Sequence, residues 1–239
     1  MDIASLAFCA AETPYVAENM MERHKVAVVR ITEGDGIIGC FAETVAAVIR
    51  SMGATVFIPG ASDVAGIYEA AARGAEILFM ADDDRFIAMN IRTGRVAEND
   101  SATARGYVSA LSAAAGGLSG RSVLQLGFGR LGKMALERLL SEGAYVRLYD
   151  SDREKTASMR KEKTEILSEL PLPLSGLVFD ATNEGGYIGV NDISGDILIA
   201  SPGIPLSLDD AAFRAYQGSV IHDPLQTGVA VMLAMVTKD

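Results

Sequence analysis

The chain has 239 residues, of which 49% are hydrophobic, and carries a formal net charge of −10. That charge excludes the cationic footprint that nucleic-acid binding needs. Two cysteines, Cys9 and Cys40, are too few for a disulfide framework or a thiolate metal cage, so no metal is expected. No uninterrupted apolar run approaches the roughly 20 residues of a membrane helix, and the N-terminal stretch lacks a basic n-region. The expectation is a soluble, cytoplasmic chain with neither nucleic acid nor membrane as partner. A homodimer is left open.

In the first half, Val26–Ile31, Thr55–Ile58 and Glu76–Met80 read as buried strands. Between them, residues 36–53 place Phe41, Val45, Val48 and Ile49 at helical spacing and stop at Gly53. Residues 62–74 begin with Ser62 or Asp63 as N-cap and stop at Gly74. An Ala-rich helix over 103–120 joins the halves, with the boundary near 105. In the second half, strands are expected over 122–127, 145–150, 176–182, 196–203 and 218–224, with helices starting near Arg130, Asp152, Leu208 and Leu225. The basic stretch Arg153–Lys163 also holds glutamates and reads as a solvated helical face. This alternation predicts an α/β protein with parallel sheets. Residues 1–105 are expected to form a smaller N-terminal α/β domain, and 106–239 a Rossmann-like doubly wound domain.

The second domain holds the sharpest motif. Gly127, Phe128, Gly129, Arg130, Leu131 and Gly132 spell G-x-G-x-x-G between a strand and a helix. Asp150 ends the next strand, 23 positions after Gly127. Gly127 permits the turn, Gly129 the approach of a pyrophosphate, and Gly132 the helix–strand contact. The helix N-terminus offers N–H groups and positive dipole to the phosphates. Asp150 would accept the adenosine ribose hydroxyls and favour NAD over NADP, although Arg153 nearby could tolerate a ribose phosphate. Thr182 and Asn183, and then Ser201, Pro202 and Gly203, follow the next two strands, where nicotinamide and its ribose would lie. A glycine-rich turn without nucleotide is the competing reading.

The familiar Tyr-x-x-x-Lys pair is absent. His24 lies in a charged cluster and reads as a surface histidine, whereas His222, at a strand end beside Asp223, is structural or site-lining. Asp82, Asp83 and Asp84 directly follow a buried strand. Three adjacent carboxylates repel one another and want a cation, a helix terminus or solvent. If both halves face one cleft, Asp82 and Asp223 would suit an ammonium-bearing substrate. A solvated acidic turn is the bland alternative.

The segments "ITEGDGIIGCFAETV", "LFMADDDRFIAMN", "VAEND", "SPGIP" and "IHDPLQTGVAVML" together resemble the pyrrolysine synthase family. The resemblance covers nearly the whole chain from Val26. It implies an N-terminal half that binds the small molecule methylornithyl-lysine and a C-terminal Rossmann half that holds NAD. The implied reaction oxidises the terminal amine of (3R)-3-methyl-D-ornithyl-N6-L-lysine, releases ammonia and closes the pyrroline ring of L-pyrrolysine. On this sequence the resemblance points to Glu33, Phe41, Asp82, Asn99 and Asp223 as substrate contacts. It departs from the family at Glu33, where a small polar residue is implied, and at Asp223, where glutamate is implied. A family contact from an additional N-terminal helix would be missing here, or supplied by Ile3, Leu6 or Phe8. Asp82 and His222 are candidates for proton acceptor, with solvent as the alternative. The other functions left open are a different amino-acid or imine dehydrogenase and a non-enzymatic NAD-binding sensor.

Overall fold

Short apolar runs and amphipathic stretches alternate along the chain, and they sort into two α/β units. The structure is a computed structural model that describes residues 1–13, 21–33, 37, 39–159 and 161–238. One unit comprises Met1–Gly106 together with Leu225–Asp239, the other Tyr107–Pro224. Among the described residues no helix is long and apolar enough to cross a membrane.

The first unit opens with α1 (Ile3–Ala10), β1 (Lys25–Val29), α2 (Phe41–Ser51), β2 (Thr55–Phe57) and α3 (Asp63–Ala72). It continues through β3 (Ile77–Ala81), β4 (Phe86–Asn90) and β5 (Val96–Glu98) into the first turns of α4 (Asn99–Ala115). Helix α2 forms where predicted: Val45 and Ile49 are fully buried on one face, and Gly53, at φ +92°, ends the run. At the start of α3 the Ser62 hydroxyl donates to Asp63 instead of capping the helix. The Asp63 carboxylate accepts from Thr32 N–H at 2.7 Å and Thr32 Oγ1–H at 2.6 Å, which ties the segment after β1 to this helix.

The sheet order is β2-β1-β3-β4-β5. Strand β1 runs parallel to β2 and β3, but β4 and β5 are antiparallel. This sheet is therefore mixed, where the alternation of elements predicted parallel sheets. The aspartate turn is the tip of a hairpin, which needs no crossover helix.

The second unit contains β6 (Ser122–Leu126), α5 (Arg130–Ser141), β7 (Tyr145–Tyr149), α6 (Arg153–Ala157), β8 (Thr164–Ile166) and β9 (Leu174–Asp180). It then adds β10 (Ile193–Ala200), α7 (Asp210–Tyr216) and β11 (Val220–Ile221). All six strands are parallel, in the order β8-β7-β6-β9-β10-β11. Counted within the unit this is 3-2-1-4-5-6, the doubly wound dinucleotide order, with its switch point between β6 and β9. The basic stretch after β7 is not one helical face. Helix α6 ends after five residues, and Lys163, at φ +62°, turns the chain into β8.

The last helix, α8 (Gln226–Thr237), overturns the predicted domain limits. Residues 106–239 do not form one body, because α8 packs on α1, α2, β4 and β5 of the first unit. Val229 through Ala234 and Val236 are fully buried. A helix apolar on every side must be covered on every side. Asn90 Nδ2–H donates to Val236 O at 3.0 Å, satisfying a carbonyl of its final turn.

Candidate functional site

The G-x-G-x-x-G segment follows β6 at the switch point, and its three glycines answer to different demands. A side chain at Gly127, where φ is +89°, would meet Ala181 O at 2.8 Å, and one at Gly132 would meet Gly127 O at 2.3 Å. Both glycines are required by the protein itself, for the turn and for close helix–strand packing. Gly129 is not: its φ is −70° and no protein atom lies within 4 Å of an added Cβ. That open space at the N-terminus of α5 is what a bound pyrophosphate would need. Gln125, fully buried, braces the loop by donating to Gly127 O and Gly132 O at 3.0 and 2.7 Å. Arg130 is exposed and Leu131 half-buried on the first turn of α5. The Phe128 ring is buried, with Lys133 Nζ 5.6 Å from its centroid. Beside the loop, Phe128, Lys133, Lys155, Ser158 and Met159 line a cavity of about 400 Å³.

Asp150 ends β7 against this loop. Its Oδ2 accepts from Phe128 N–H at 2.6 Å and its Oδ1 from Asp152 N–H at 2.8 Å. Each carboxylate oxygen can accept again, so capacity for ribose hydroxyls remains. The cation beside it is Lys155, 3.6 Å away, and not Arg153, whose guanidinium donates to Ser168 O.

The next strand ends bring together residues from both neighbouring loops. Thr182 is half-buried and Asn183 exposed after β9, and Ser201 and Pro202 are buried after β10. A Cβ on Gly203 would lie 2.1 Å from Thr182 O, so the two loops touch through a position that only glycine can fill. Half-buried His222 places Nδ1 2.7 Å from Ser201 O. A carbonyl only accepts, so Nδ1 carries the proton and the Nε2 lone pair is the basic one in the neutral ring. Tyr107 holds the following residue: its hydroxyl accepts from Asp223 N–H at 2.7 Å and donates to Asp223 O at 2.5 Å. Burial pushes the Tyr107 phenol well above its ordinary value, and the Asp223 carboxylate adds to the shift. Tyr187, 3.3 Å from Thr182 Oγ1, is pushed up to about 12 by burial and then by the charge of Asp180.

Sequence reasoning missed Asp180, Ser207, Tyr187 and Tyr107. Asp180 gave the same signal as Asp150, an acid ending an apolar strand. Tyr107 gave none inside an Ala-rich helix.

In the first unit the register sets four expected substrate residues along one edge of the sheet. Glu33 follows β1, exposed, and Asp82 follows β3. Phe41 starts α2 and packs edge-on against Phe86, with ring centroids 5.1 Å apart. Asn99 follows Glu98, which pairs with Ile87 at the start of β4. The Asn99 side chain lies against α8, where a Cβ on Gly228 would be 2.5 Å from its Oδ1. Asp82 is exposed, and its Oδ1 accepts the backbone N–H groups of Asp84 and Arg85 at 2.9 and 2.7 Å, closing the hairpin turn. Gly34, Asp35, Gly36 and Ile38 of the resemblance segment lie outside the described residues. His24 is at the opposite edge, half-buried, with Nδ1 3.1 Å from Glu76 Oε2. Phe8 is buried in the core of this unit.

An open, all-parallel 3-2-1-4-5-6 sheet with a glycine cradle at its switch point defines a Rossmann-type α/β protein. Quinate dehydrogenase from Corynebacterium glutamicum, solved in complex with NAD, shares the fold. The TM-score is 0.54 at 14% identity, over 89% of this chain and 93% of that one. Residues 2–97 match the family model of the pyrrolysine biosynthesis protein PylD, N-terminal domain. Pyrrolysine synthase of Methanosarcina acetivorans is 35% identical over 87% of this chain and 81% of its own length. That of Methanosarcina barkeri is 32% identical over 89% and 81%. The chain belongs to the pyrrolysine synthase family.

Proposed function

We propose that the chain is an NAD-dependent, amine-oxidising dehydrogenase that carries out the final step of pyrrolysine biosynthesis. The substrate would be methylornithyl-lysine, oxidised at its terminal amine carbon with release of ammonia and ring closure. The observation that carries this reading is identity to pyrrolysine synthases over 87% of the chain, with the glycine cradle complete and Gly129 open.

When bound, the cofactor would accept the hydride. The chain's own residues bind, orient and manage protons. Gly127, Gly129 and the first turn of α5 take the pyrophosphate. Asp150 takes the ribose hydroxyls and repels a ribose phosphate. Thr182, Asn183, Ser201, Pro202 and Gly203 border the nicotinamide. In the first unit, Asp82, with its second carboxylate oxygen, would offer negative charge to a substrate ammonium group, and Glu33, Phe41 and Asn99 would border the substrate chain; in the second unit, Asp223 is the carboxylate proposed for an ammonium group. The amine must lose a proton before its carbon can surrender hydride. His222 offers Nε2 for that proton, and solvent is the alternative acceptor. Ring closure needs little help, because amine and aldehyde within one molecule have a high effective concentration.

The test is incubation of the purified protein with methylornithyl-lysine and either NAD or NADP, beside a panel of small amino acids, following reduced cofactor and product mass. The reading expects pyrrolysine mass with NAD, a slower reaction with NADP and none with the small amino acids. Turnover of the panel with no pyrrolysine would make it a different amino-acid dehydrogenase.

A further inference from the structure

Asp180, the last residue of β9, is a fully buried carboxylate that the scheme above does not use. Its Oδ1 accepts from Thr182 N–H at 3.1 Å and Thr182 Oγ1–H at 2.7 Å. Its Oδ2 accepts from Ser201 Oγ–H at 2.9 Å and from Ser207 Oγ–H. Among the described residues no Lys or Arg pairs with it, so hydrogen bonds alone compensate the buried charge. A charge in that position is a poor way to stabilise a strand, since an apolar residue of similar volume commonly does as well or better.

The donors reveal what it does instead. All four lie on the two loops that follow β9 and β10, and none comes from the body of the sheet. Those loops also meet at Gly203 and Thr182 O, where no side chain fits. Ser201, held by Asp180 through its hydroxyl, uses its carbonyl to orient His222.

We propose that Asp180 is the positioning residue for the nicotinamide side of the site. Its carboxylate pins Thr182, Ser201 and Ser207, and through Ser201 the His222 imidazole, so that both loops present one fixed surface to the ring. The inference rests on the dehydrogenase reading. Networks of this kind are strong when fully satisfied and fail as a unit when one acceptor is exchanged for a donor.

Asp180→Asn makes that exchange at nearly constant shape, and Ser207→Ala removes one donor from outside the proposed cofactor contacts. Both are compared with the wild type for NAD affinity, thermal midpoint, and kcat and KM with NAD and methylornithyl-lysine. A reacting centre displaced by a fraction of an ångström loses rate before it loses binding. In Asp180→Asn, kcat should therefore fall about tenfold or more while the KM for NAD changes less than about threefold. Ser207→Ala should change in the same direction by less, and decides the matter alone if Asp180→Asn does not fold. Wild-type kcat in the folded variants overturns the inference, as does a loss of kcat that only tracks a loss of NAD affinity and thermal midpoint. Wild-type protein that binds no NAD overturns the dehydrogenase reading, and this inference with it.

Discussion

Asp82 closes a turn with one carboxylate oxygen, and under the proposed function the other would meet the substrate. Its Oδ1 is spent on the N–H groups of Asp84 and Arg85, an arrangement that asparagine reproduces with its carbonyl oxygen. Asp82→Asn therefore keeps the hairpin and removes only the charge. Turnover with methylornithyl-lysine should fall roughly tenfold or more, since charge-assisted bonds contribute about 1.5–3 kcal/mol. NAD affinity should stay unchanged, and Asp84→Asn should behave as wild type. Equal, normal turnover in both variants would reduce the turn to a solvated acidic corner. Two phenols carry a pH signature. Tyr187 titrates at about 12 against an ordinary 10.0, and Tyr107 is raised further. A raised value favours the neutral phenol, so the stabilisation is complete below pH 10 and is lost as pH climbs through 12. Tyr107 and Tyr187 should ionise above the ordinary phenol value in an absorbance titration, together with alkaline unfolding. Tyrosine-to-phenylalanine variants at 107 and 187 that remove only absorbance titrating at the ordinary phenol value would contradict the burial described. At this scale the place of Asp150 against the glycine loop was legible from the spacing of the motif, whereas Asp180, an acid ending another apolar strand, had no motif to single it out. Lys155 was not legible, because only the fold decides which of several cations in a basic stretch turns back.

The glycine loop is the element whose parts separate most cleanly. Gly132→Val would drive a side chain into Gly127 O and should cost the fold. Gly129→Val enters open space at an ordinary φ. It should lose NAD affinity by at least about tenfold while the thermal midpoint moves little, because a poorer N-cap costs only about 1 kcal/mol. Titration of a folded Gly129→Val variant that still binds NAD normally would remove the pyrophosphate from this loop. The parallel strands β6, β7, β9 and β10 were legible as apolar runs ending in turn residues. The hairpin β4–β5 was not, because the acids ahead of β4 suggested a loop and β5 is only three residues long. β8 hid for the same reason, three residues behind a run of lysines and glutamates that resembles a helix face.

At the level of the whole chain, contiguity in sequence misled. Helix α8 is apolar all round, a pattern that states it is buried but not where, and it completes the first unit rather than the second. The chain thus leaves the first unit along α4, builds the nucleotide-type sheet, and returns. Under the proposed function, amine oxidation and ring closure are tied by mass balance. The most direct measurement follows NADH, ammonia and pyrrolysine together as the wild-type protein consumes methylornithyl-lysine with NAD. All three should appear in equal amounts, and none should appear when NAD or substrate is omitted. NADH formed without ring-closed product, or no NADH from a protein that demonstrably binds NAD, would contradict it.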